Sequence, residues 1–259
     1  MADRPLQDVG VLVTRPRTQA IELVDAIEAN GGSAYCFPVI DIVPLDEIVV
    51  RGNADTLKTP DIVIFVSRNA VEYGIQYTGG GKLAAIGPST ARAIRAAGRV
   101  VDIQSASGFD SEHLLAEAAL QDVAGKRVRI IRGSSGRELL ANELRARGAT
   151  VDYLSVYERR LPAISAETLA DLESRWRQGL INVITIMSVQ SLGNLAQLLP
   201  AWCAEQIEST PLVTPAGRVL KEALDLYPAS RTILAAGPGA DDIVDAIVAL
   251  QKTESGIAP

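Results

Sequence analysis

Histidine is nearly missing from this chain of 259 residues: His113 is the only one. Its scarcity argues against a zinc site, a Ser-His triad and histidine acid–base catalysis. The two cysteines, Cys36 and Cys203, lie far apart and match no metal-binding spacing, so reduced thiols are expected. No apolar run approaches the ~18 residues of a membrane span. The opening "MADRPLQDVG" lacks the basic-then-apolar order of a signal peptide, and a cytoplasmic location is expected. The net charge of −6 argues against general nucleic-acid binding. It also means that an anionic ligand needs a local cationic or amide-rich patch. A nucleotide-dependent enzyme would want GxGxxG or a P-loop, and "GPSTAR" and "RGSSGR" supply neither.

What is present is the composition of an ordinary globular protein, 47% apolar and 22% charged. Short apolar runs alternate with amphipathic ones. "VGVLVTRP" reads as a buried strand, and "TQAIELVDAIEANGG" as a helix with Ile21, Leu23, Val24 and Ile27 at helical spacing before a glycine stop. "SAYCFPVIDIVPL" and "DIVIFVS" read as strands, then "RNAVEYGIQY" as a helix, "KLAAIG" as a strand and "PSTARAIRAAG" as a helix. After "VVDI" come helix "DSEHLLAEAAL", strand "KRVRIIRG", helix "RELLANELRARG" and strand "VDYLSVYERRLP". A helix near "ISAETLADLESRWRQG", strand "NVITIMS", helix "VQSLGNLAQLL", strand "PLVT", helix "AGRVLKEALDLY", strand "RTILAAG" and helix "ADDIVDAIVALQ" complete the order, with a loose tail "TESGIAP". This alternation predicts parallel α/β sheets that bind ligands at the carboxyl ends of their strands.

The chain also repeats itself. Residues 9–40 lie over 126–157 at an offset of 117, with identities at Val11/Val128, Arg15/Arg132, Leu23/Leu140, Ala29/Ala146, Gly31/Gly148 and Val39/Val156. "IVIFVSRNAV" similarly resembles "VITIMSVQSL", and "IGPSTARAI" more faintly resembles "VTPAGRVL". Two similar lobes are the economical explanation.

Taken in order, "VLVTRP", "GGSAYCFPVIDIVPL", "DIVIFVSRNAVEYG", "LAAIGPSTARAIRAAG", "KRVRIIRGSSGRELLANELRARGATVDYLSVYERRLP" and "VITIMSVQSLGNL" resemble the uroporphyrinogen-III synthase family over nearly the whole chain. The resemblance implies two Rossmann-like parallel-sheet lobes joined by a two-stranded extended linker. Residues 1–38 and 162–259 would form a discontinuous first lobe, 45–156 the second, and 39–44 and 157–161 the linker strands. Two crossovers without helical content suggest a movable hinge. The family's reaction cyclises hydroxymethylbilane, a linear tetrapyrrole, to uroporphyrinogen III. The terminal hydroxyl leaves as water, the resulting azafulvene attacks the far pyrrole, and the last ring is inverted through a spiro intermediate. The resemblance implies no cofactor and no metal. The expected small-molecule partner is hydroxymethylbilane, with a transient contact to hydroxymethylbilane synthase because that substrate is unstable. No nucleic acid and no membrane are expected. No heptad or obvious apolar patch speaks against a monomer.

Such a substrate carries eight carboxylates, so the site must offer many hydrogen-bond donors. Arginine forks and the free N–H groups of helix starts suit carboxylates. Six strand-to-helix turns supply them: "TRPRT", "SRNA", "GPSTA", "RGSSGR", "SVQS" and "TPAGR". The candidate binding residues are Arg15, Ser67, Asn69, Ala70, Pro88, Thr90, Arg132, Gly133, Ser134, Arg137, Ser188, Thr214 and Arg218. All would face one cleft if the two sheets present their carboxyl ends to each other. A plainer explanation exists for each: Ser, Thr and Asn before a helix are ordinary N-caps, Arg132 and Arg137 can be solvated, and Arg15 can brace its own lobe. The turn at 213–218 departs from the family, with Ala216 and Gly217 where hydroxyls are common, and Val66 stands where relatives often have threonine. "MSVQS" is also looser than the usual Ser-Pro-Ser-like form.

Loss of the hydroxyl also calls for a proton. Tyrosine as a residue type ionises near ~10, which makes it a donor rather than a base at neutral pH. Tyr157, where the apolar alternation of "VDYLSVYERRLP" gives way to charge, matches the family tyrosine implicated in that departure. Arg159 and Arg160 beside it could stabilise a phenolate or bind a carboxylate. The plainer alternative is a strand-end tyrosine with a packed ring and a wet hydroxyl. His113 reads as a helix-surface residue, and Asp241, Asp242 and Asp245 as favourable charge at a helix start. The competing function is a non-enzymatic two-lobed binding or sensor protein for a polyanionic small molecule. It would need an effector domain or a partner surface.

Overall fold

A computed structural model describes residues 4–105, 108 and 110–254. In chain order the regular elements are β1 (Gly10–Val13), α1 (Arg17–Ala29), β2 (Ser33–Cys36), β3 (Asp41–Pro44), α2 (Glu47–Thr56), β4 (Ile62–Phe65), α3 (Arg68–Gly74), β5 (Lys82–Ala85), α4 (Pro88–Ala96), β6 (Ile103–Gln104) and α5 (Ser111–Leu115). There follow β7 (Arg127–Gly133), α6 (Leu139–Ala146), β8 (Thr150–Arg160), α7 (Ala166–Arg177), β9 (Val183–Thr185), α8 (Val189–Leu198), α9 (Ala204–Ser209), β10 (Leu212–Thr214), α10 (Gly217–Leu226), β11 (Thr232–Leu234) and α11 (Ala240–Glu254). Residues 255–259, most of the tail expected to be loose, lie outside the described residues. No described helix is long and apolar enough to cross a membrane.

The chain divides into two compact units: Met1–Asp41 with Arg160–Pro259, and Ile42–Arg159. The first holds a sheet ordered β11-β10-β9-β1-β2, the second one ordered β3-β8-β7-β4-β5-β6. Every pairing along β2-β1-β9-β10-β11 and along β8-β7-β4-β5-β6 is parallel, as the alternation of elements predicts. Strands such as GVLV and IVIF are buried at every position because both faces of a parallel sheet are covered. In the first unit α1 and α11 pack on one face, with Leu23, Ile27, Ile243 and Ile247 against Val11 and Val13. In the second unit α5 and α6 cover one face through Leu114, Leu140 and Leu144, and α3 and α4 the other through Val71 and Ile94.

The five strands of the first sheet correspond to β6, β5, β4, β7 and β8 of the second, with β3 as an addition, and the internal repeat is realised in hydrogen bonds. Gly31 and Gly148 end α1 and α6 with φ of 88° and 82°, a left-handed conformation that glycine adopts without cost. Their amides donate to Glu28 O and Arg145 O, both at 2.9 Å, and the next amides donate to Ile27 O and Leu144 O, both at 3.0 Å. At the amino edges, Asn182 Oδ1 accepts from Gly10 N and Asp61 Oδ2 accepts from Arg127 N, both at 2.7 Å. The repeat also reaches further back than the sequence shows. Asp8 and Gly125, again 117 apart, both have positive φ, and Val9 N and Lys126 N donate to Leu6 O and Val123 O.

Several expected elements differ. "SAYCFPVIDIVPL" is two strands rather than one. β2 ends at Cys36 and β3 begins at Asp41 beside β8, with Pro38 (which has no N–H to offer a ladder) in the gap. Helix α2 was not foreseen, because Val50 is its one buried residue while Ile48 and Val49 are exposed, so its sequence carries no apolar stripe. What starts it is Asp46, whose carboxylate accepts from Ile48 N and Val49 N. Helix α9 likewise has a single buried side chain, Ile207. "DSEHLLAEAAL" breaks into α5 and a 3₁₀ turn at Ala118–Leu120. Strand β8, read from the sequence as "VDYLSVYERRLP", runs from Thr150 and ends at Arg160, before Leu161 and Pro162.

Candidate functional site

Ligands of open parallel sheets bind outside the carboxyl ends of the strands, where successive crossovers diverge. In the second unit that place lies between β4 and β7, since β4 leads to β5 on one side and β7 to β8 on the other. Tyr157 is built into it. Along β8 the pairing partners are Ser155 for Arg132 and then Tyr157 for Gly133, which leaves Val156 as an extra residue. A bulge of this kind re-aims the following side chain. Without it Tyr157 would share the face of Tyr153; with it Tyr157 joins Leu154 and Val156 on the face covered by α3 and α4. The alternation that breaks at this point in the sequence is therefore the bulge itself.

The ring lies directly over Gly133, where an added Cβ would come within 2.8 Å of Cε2. Gly133 is thus needed for close approach rather than for an unusual backbone. Tyr73 of α3 tilts against the ring from the other element, with centroids 6.3 Å apart. The Tyr157 carbonyl accepts from Ser134 N at 2.8 Å. The side chain is only 2% exposed, and its hydroxyl meets Ser67 Oγ at 3.1 Å. Ser67 follows β4, takes an extended conformation and caps α3 by accepting from Ala70 N at 3.0 Å. The packed ring was foreseen as the plainer alternative, but the hydroxyl is bonded inside the protein rather than wet.

The other candidates fall at the carboxyl ends of strands too, in two groups. In the second unit, Asn69, Ala70 and Thr90 are buried in the first turns of α3 and α4, Pro88 is half-buried at the start of α4, and Ser134 and Arg137 are exposed after β7. Arg132 is not an open donor: Nη1 donates to Glu138 Oε1 at 2.9 Å, and the guanidinium stacks on the Tyr153 ring at 4.7 Å. Glu138 also accepts from the Tyr153 hydroxyl at 2.6 Å. These two bonds, the tyrosine's first, hold the Glu138 carboxyl below its usual range. Burial, reinforced by Glu138, pushes the Tyr153 hydroxyl up. Neither Glu138 nor Tyr73 was singled out from the sequence. The signals were an acid directly after "RGSSGR" and an aromatic one turn beyond Ala70 on the same helix face.

In the first unit, Arg15 follows β1, half-buried, and its Nη2 donates to Pro238 O at 2.7 Å. Its Nε is buried with no hydrogen-bond partner among the described residues, and burial lowers the guanidinium pKa. Ser188 caps α8 by accepting from Ser191 N at 3.1 Å, with its hydroxyl against Ser191 Oγ at 2.8 Å. His113 lies outside both groups. It is half-exposed, with Nδ1 against the Asp110 carboxylate that caps α5. Asp242 accepts from Gly239 N, which accounts for part of the acid cluster opening α11. Among the described residues no group of three or more His, Cys, Asp or Glu is arranged to hold a metal.

Tyr157 is thus fixed at a bulge within β8, beside the switch point of the sheet and against the serine that caps α3. The family model described as uroporphyrinogen-III synthase HemD matches residues 21–245. The chain belongs to the uroporphyrinogen-III synthase family. Uroporphyrinogen-III synthase of Salmonella typhimurium is 32% identical over 215 residues, covering 76% of this chain and 82% of that protein. The Escherichia coli enzyme is 31% identical over 206 residues with the same shares. In fold, the uroporphyrinogen-III synthetase of Helicobacter pylori superposes with a TM-score of 0.63 at 11% identity, over 93% of this chain and 99% of that one. A Thermus thermophilus uroporphyrinogen III synthase mutant gives 0.60 at 19% identity, over 94% and 99%.

The place where this member of the synthase family departs from the usual turn is visible in the first unit. Thr214 is fully buried and its Oγ1 accepts from Ala216 N at 3.2 Å, so its hydroxyl shapes the turn. Arg218, by contrast, is exposed in the first turn of α10. Val66, the other departure, packs its half-buried side chain against the core under α5 and α6.

Proposed function

We propose that this chain is a cyclising hydro-lyase that converts hydroxymethylbilane to uroporphyrinogen III with inversion of the last ring. The observation that carries the reading is Tyr157, a family-matched phenol held by Gly133, Tyr73 and Ser67 at the switch point of the second sheet. Tyr157 donates its proton to the departing hydroxyl. The C–O bond breaks with its electron pair on oxygen, water leaves, and the pyrrole nitrogen lone pair fills the carbon to give the azafulvene in its N-protonated, cationic form, which the far pyrrole attacks. The phenolate recovers a proton when the closing ring carbon loses its own. The azafulvene is reactive once formed, so orientation of the far ring supplies the rest of the catalysis and suppresses closure without inversion.

Carboxylates of the substrate meet the turns that carry Arg15, Ser67, Asn69, Ala70, Pro88, Thr90, Arg132, Gly133, Ser134, Arg137, Ser188, Thr214 and Arg218; of these Pro88 has no N–H, the Ala70 N–H goes to Ser67 Oγ and Arg132 is paired with Glu138, so those three shape their turns while the others donate. Backbone N–H groups carry this where the side chains already cap their own helices. The buried Nε of Arg15, unpaired among the described residues, supports that residue as an anchor. We place the reaction in the cytoplasm, in a monomer that meets the enzyme supplying its unstable substrate only in passing.

The test is a coupled assay in which hydroxymethylbilane is supplied and the type I and type III isomers are separated after oxidation. Type III product above the uncatalysed background is expected. Type I alone, at the uncatalysed rate, would leave a binding or sensor protein as the better description.

A further inference from the structure

The Tyr157 hydroxyl carries one hydrogen, and the direction in which it points decides whether it can be given away. We infer that Ser67 sets that direction and is a positioning residue for the proton transfer; the inference rests on the reading of Tyr157 as the donor. Ser67 Oγ already accepts from Ala70 N at 3.0 Å, and its other side-chain neighbour among the described residues is Tyr157 Oη at 3.1 Å. An oxygen that accepts from an amide becomes a better donor, because hydrogen bonds in a chain polarise one another. The favoured chain therefore runs from Ala70 N–H to Ser67 Oγ–H to Tyr157 Oη. That leaves the phenol hydrogen pointing away from Ser67, available to a substrate oxygen. After transfer the same Ser67 O–H supports the phenolate. Rotation of the ring away from this line is opposed by Gly133 beneath it and Tyr73 beside it.

The first unit shows that helix capping does not require this contact. Ser188 has nearly the same backbone angles as Ser67 and caps α8 in the same way, yet its hydroxyl partner is the neighbouring Ser191. The residue that the repeat places opposite Tyr157 is Ile40. The Ser67–Tyr157 pair is thus an addition to a capping serine that works without it.

The experiment uses the full chain with hydroxymethylbilane and measures kcat and KM for type III product in Ser67→Ala, Ser67→Gly, Ser67→Thr, Tyr157→Phe and the double variant Ser67→Ala/Tyr157→Phe. Glycine largely preserves an N-cap, so Ser67→Gly removes the hydroxyl with little loss of helix stability. Loss of one hydrogen bond to the reacting group should lower kcat about tenfold in Ser67→Ala and Ser67→Gly, a larger change than either makes in KM. Ser67→Thr should restore kcat, and the double variant should be no slower than Tyr157→Phe. Ser165→Ala, which removes the exposed cap of α7, should match Ser67→Ala in its drop in Tm and keep wild-type kcat. Wild-type kcat in Ser67→Gly would overturn the inference. So would an equal fold-loss from Ser67→Ala in the presence and absence of the Tyr157 hydroxyl. Failure of the synthase reading itself is seen separately, as absence of type III product from the unsubstituted protein.

Discussion

The two units share a scaffold and differ at one edge. At the amino ends of the strands they share several bonds: Asn182 clamps Gly10 as Asp61 clamps Arg127, and Gly31 ends α1 as Gly148 ends α6. At the carboxyl ends they part. The second unit sets Tyr157 over Gly133 and against Ser67; the first has Ile40, Pro16 and Ser188 at the corresponding positions. Arg132 is paired with Glu138, whereas its counterpart Arg15 holds, among the described residues, the Pro238 carbonyl and no acid. The outgoing backbone differs as well. Val156 O accepts from Leu45 N, while Val39 O accepts from the Asn194 side chain. Repetition has therefore preserved what folds a unit, and the units differ at the edge where the proposed chemistry lies.

The scaffold half of this comparison is the costliest to break. Leu23 and Leu140 occupy the same place in the repeat and are almost fully buried. Truncating either to alanine should cost about 2–5 kcal/mol, with the two losses within about a factor of two of each other. Chemical denaturation checks this, and a loss at one site alone would mean that the units are not energetically alike. The chemical half comes next. Tyr157→Phe should slow type III formation about ten- to a hundredfold, at or below the lower part of the range for a positioned acid, because the pyrrole nitrogen already assists the departure. Ile40→Val, the counterpart in the first unit, should cost about 1 kcal/mol of stability and leave the isomer ratio intact. Wild-type rates in Tyr157→Phe would remove the hydroxyl from the mechanism and dissolve the asymmetry. The amino-edge clamps follow. Asp61→Ala and Asn182→Ala each strip one acceptor from a strand-start amide and should each cost about 1 kcal/mol with no effect on kcat.

How much of this was legible before the structure depends on where the information sits. The sheets, their helices and the repeat rest on apolar period and glycine stops, which are local in the sequence, and these were readable from Val11, Leu23, Gly31 and their partners. Helices α2 and α9 were not, because each buries one side chain and presents no stripe. The turns that hold the candidate site were readable as strand ends followed by capping residues. What was hidden is the geometry between elements distant in the chain. The Ser67–Tyr157 bond spans 90 residues. It depends on a bulge that appears in the sequence only as a fault in the alternation. Nor can spacing tell an open arginine from one occupied by its own unit, as Arg132 is by Glu138.

That last distinction gives the smallest and most local test. Glu138 is exposed, and its carboxyl is held below the usual range by the Tyr153 hydroxyl and the Arg132 guanidinium. A depressed carboxylate contributes stability above its unfolded-state pKa of about 4.3 and loses it as pH falls through the lower folded value. Glu138→Gln should therefore be slightly less stable than the parent at pH 7, with the difference vanishing as acid protonates the parent's carboxylate. Because the pair is exposed on the acid side and screened, high salt should shrink the difference at pH 7 as well. Arg15 has no such acid within ion-pair distance among the described residues, so replacing Glu22, its one charged neighbour at longer range, by glutamine should give no comparable pH-dependent difference. Thermal melts of both variants at pH 7 and at about pH 3 decide the matter. Equal acid sensitivity in the two would mean that the arginines are held alike, and that Arg132 is as open to a ligand carboxylate as Arg15.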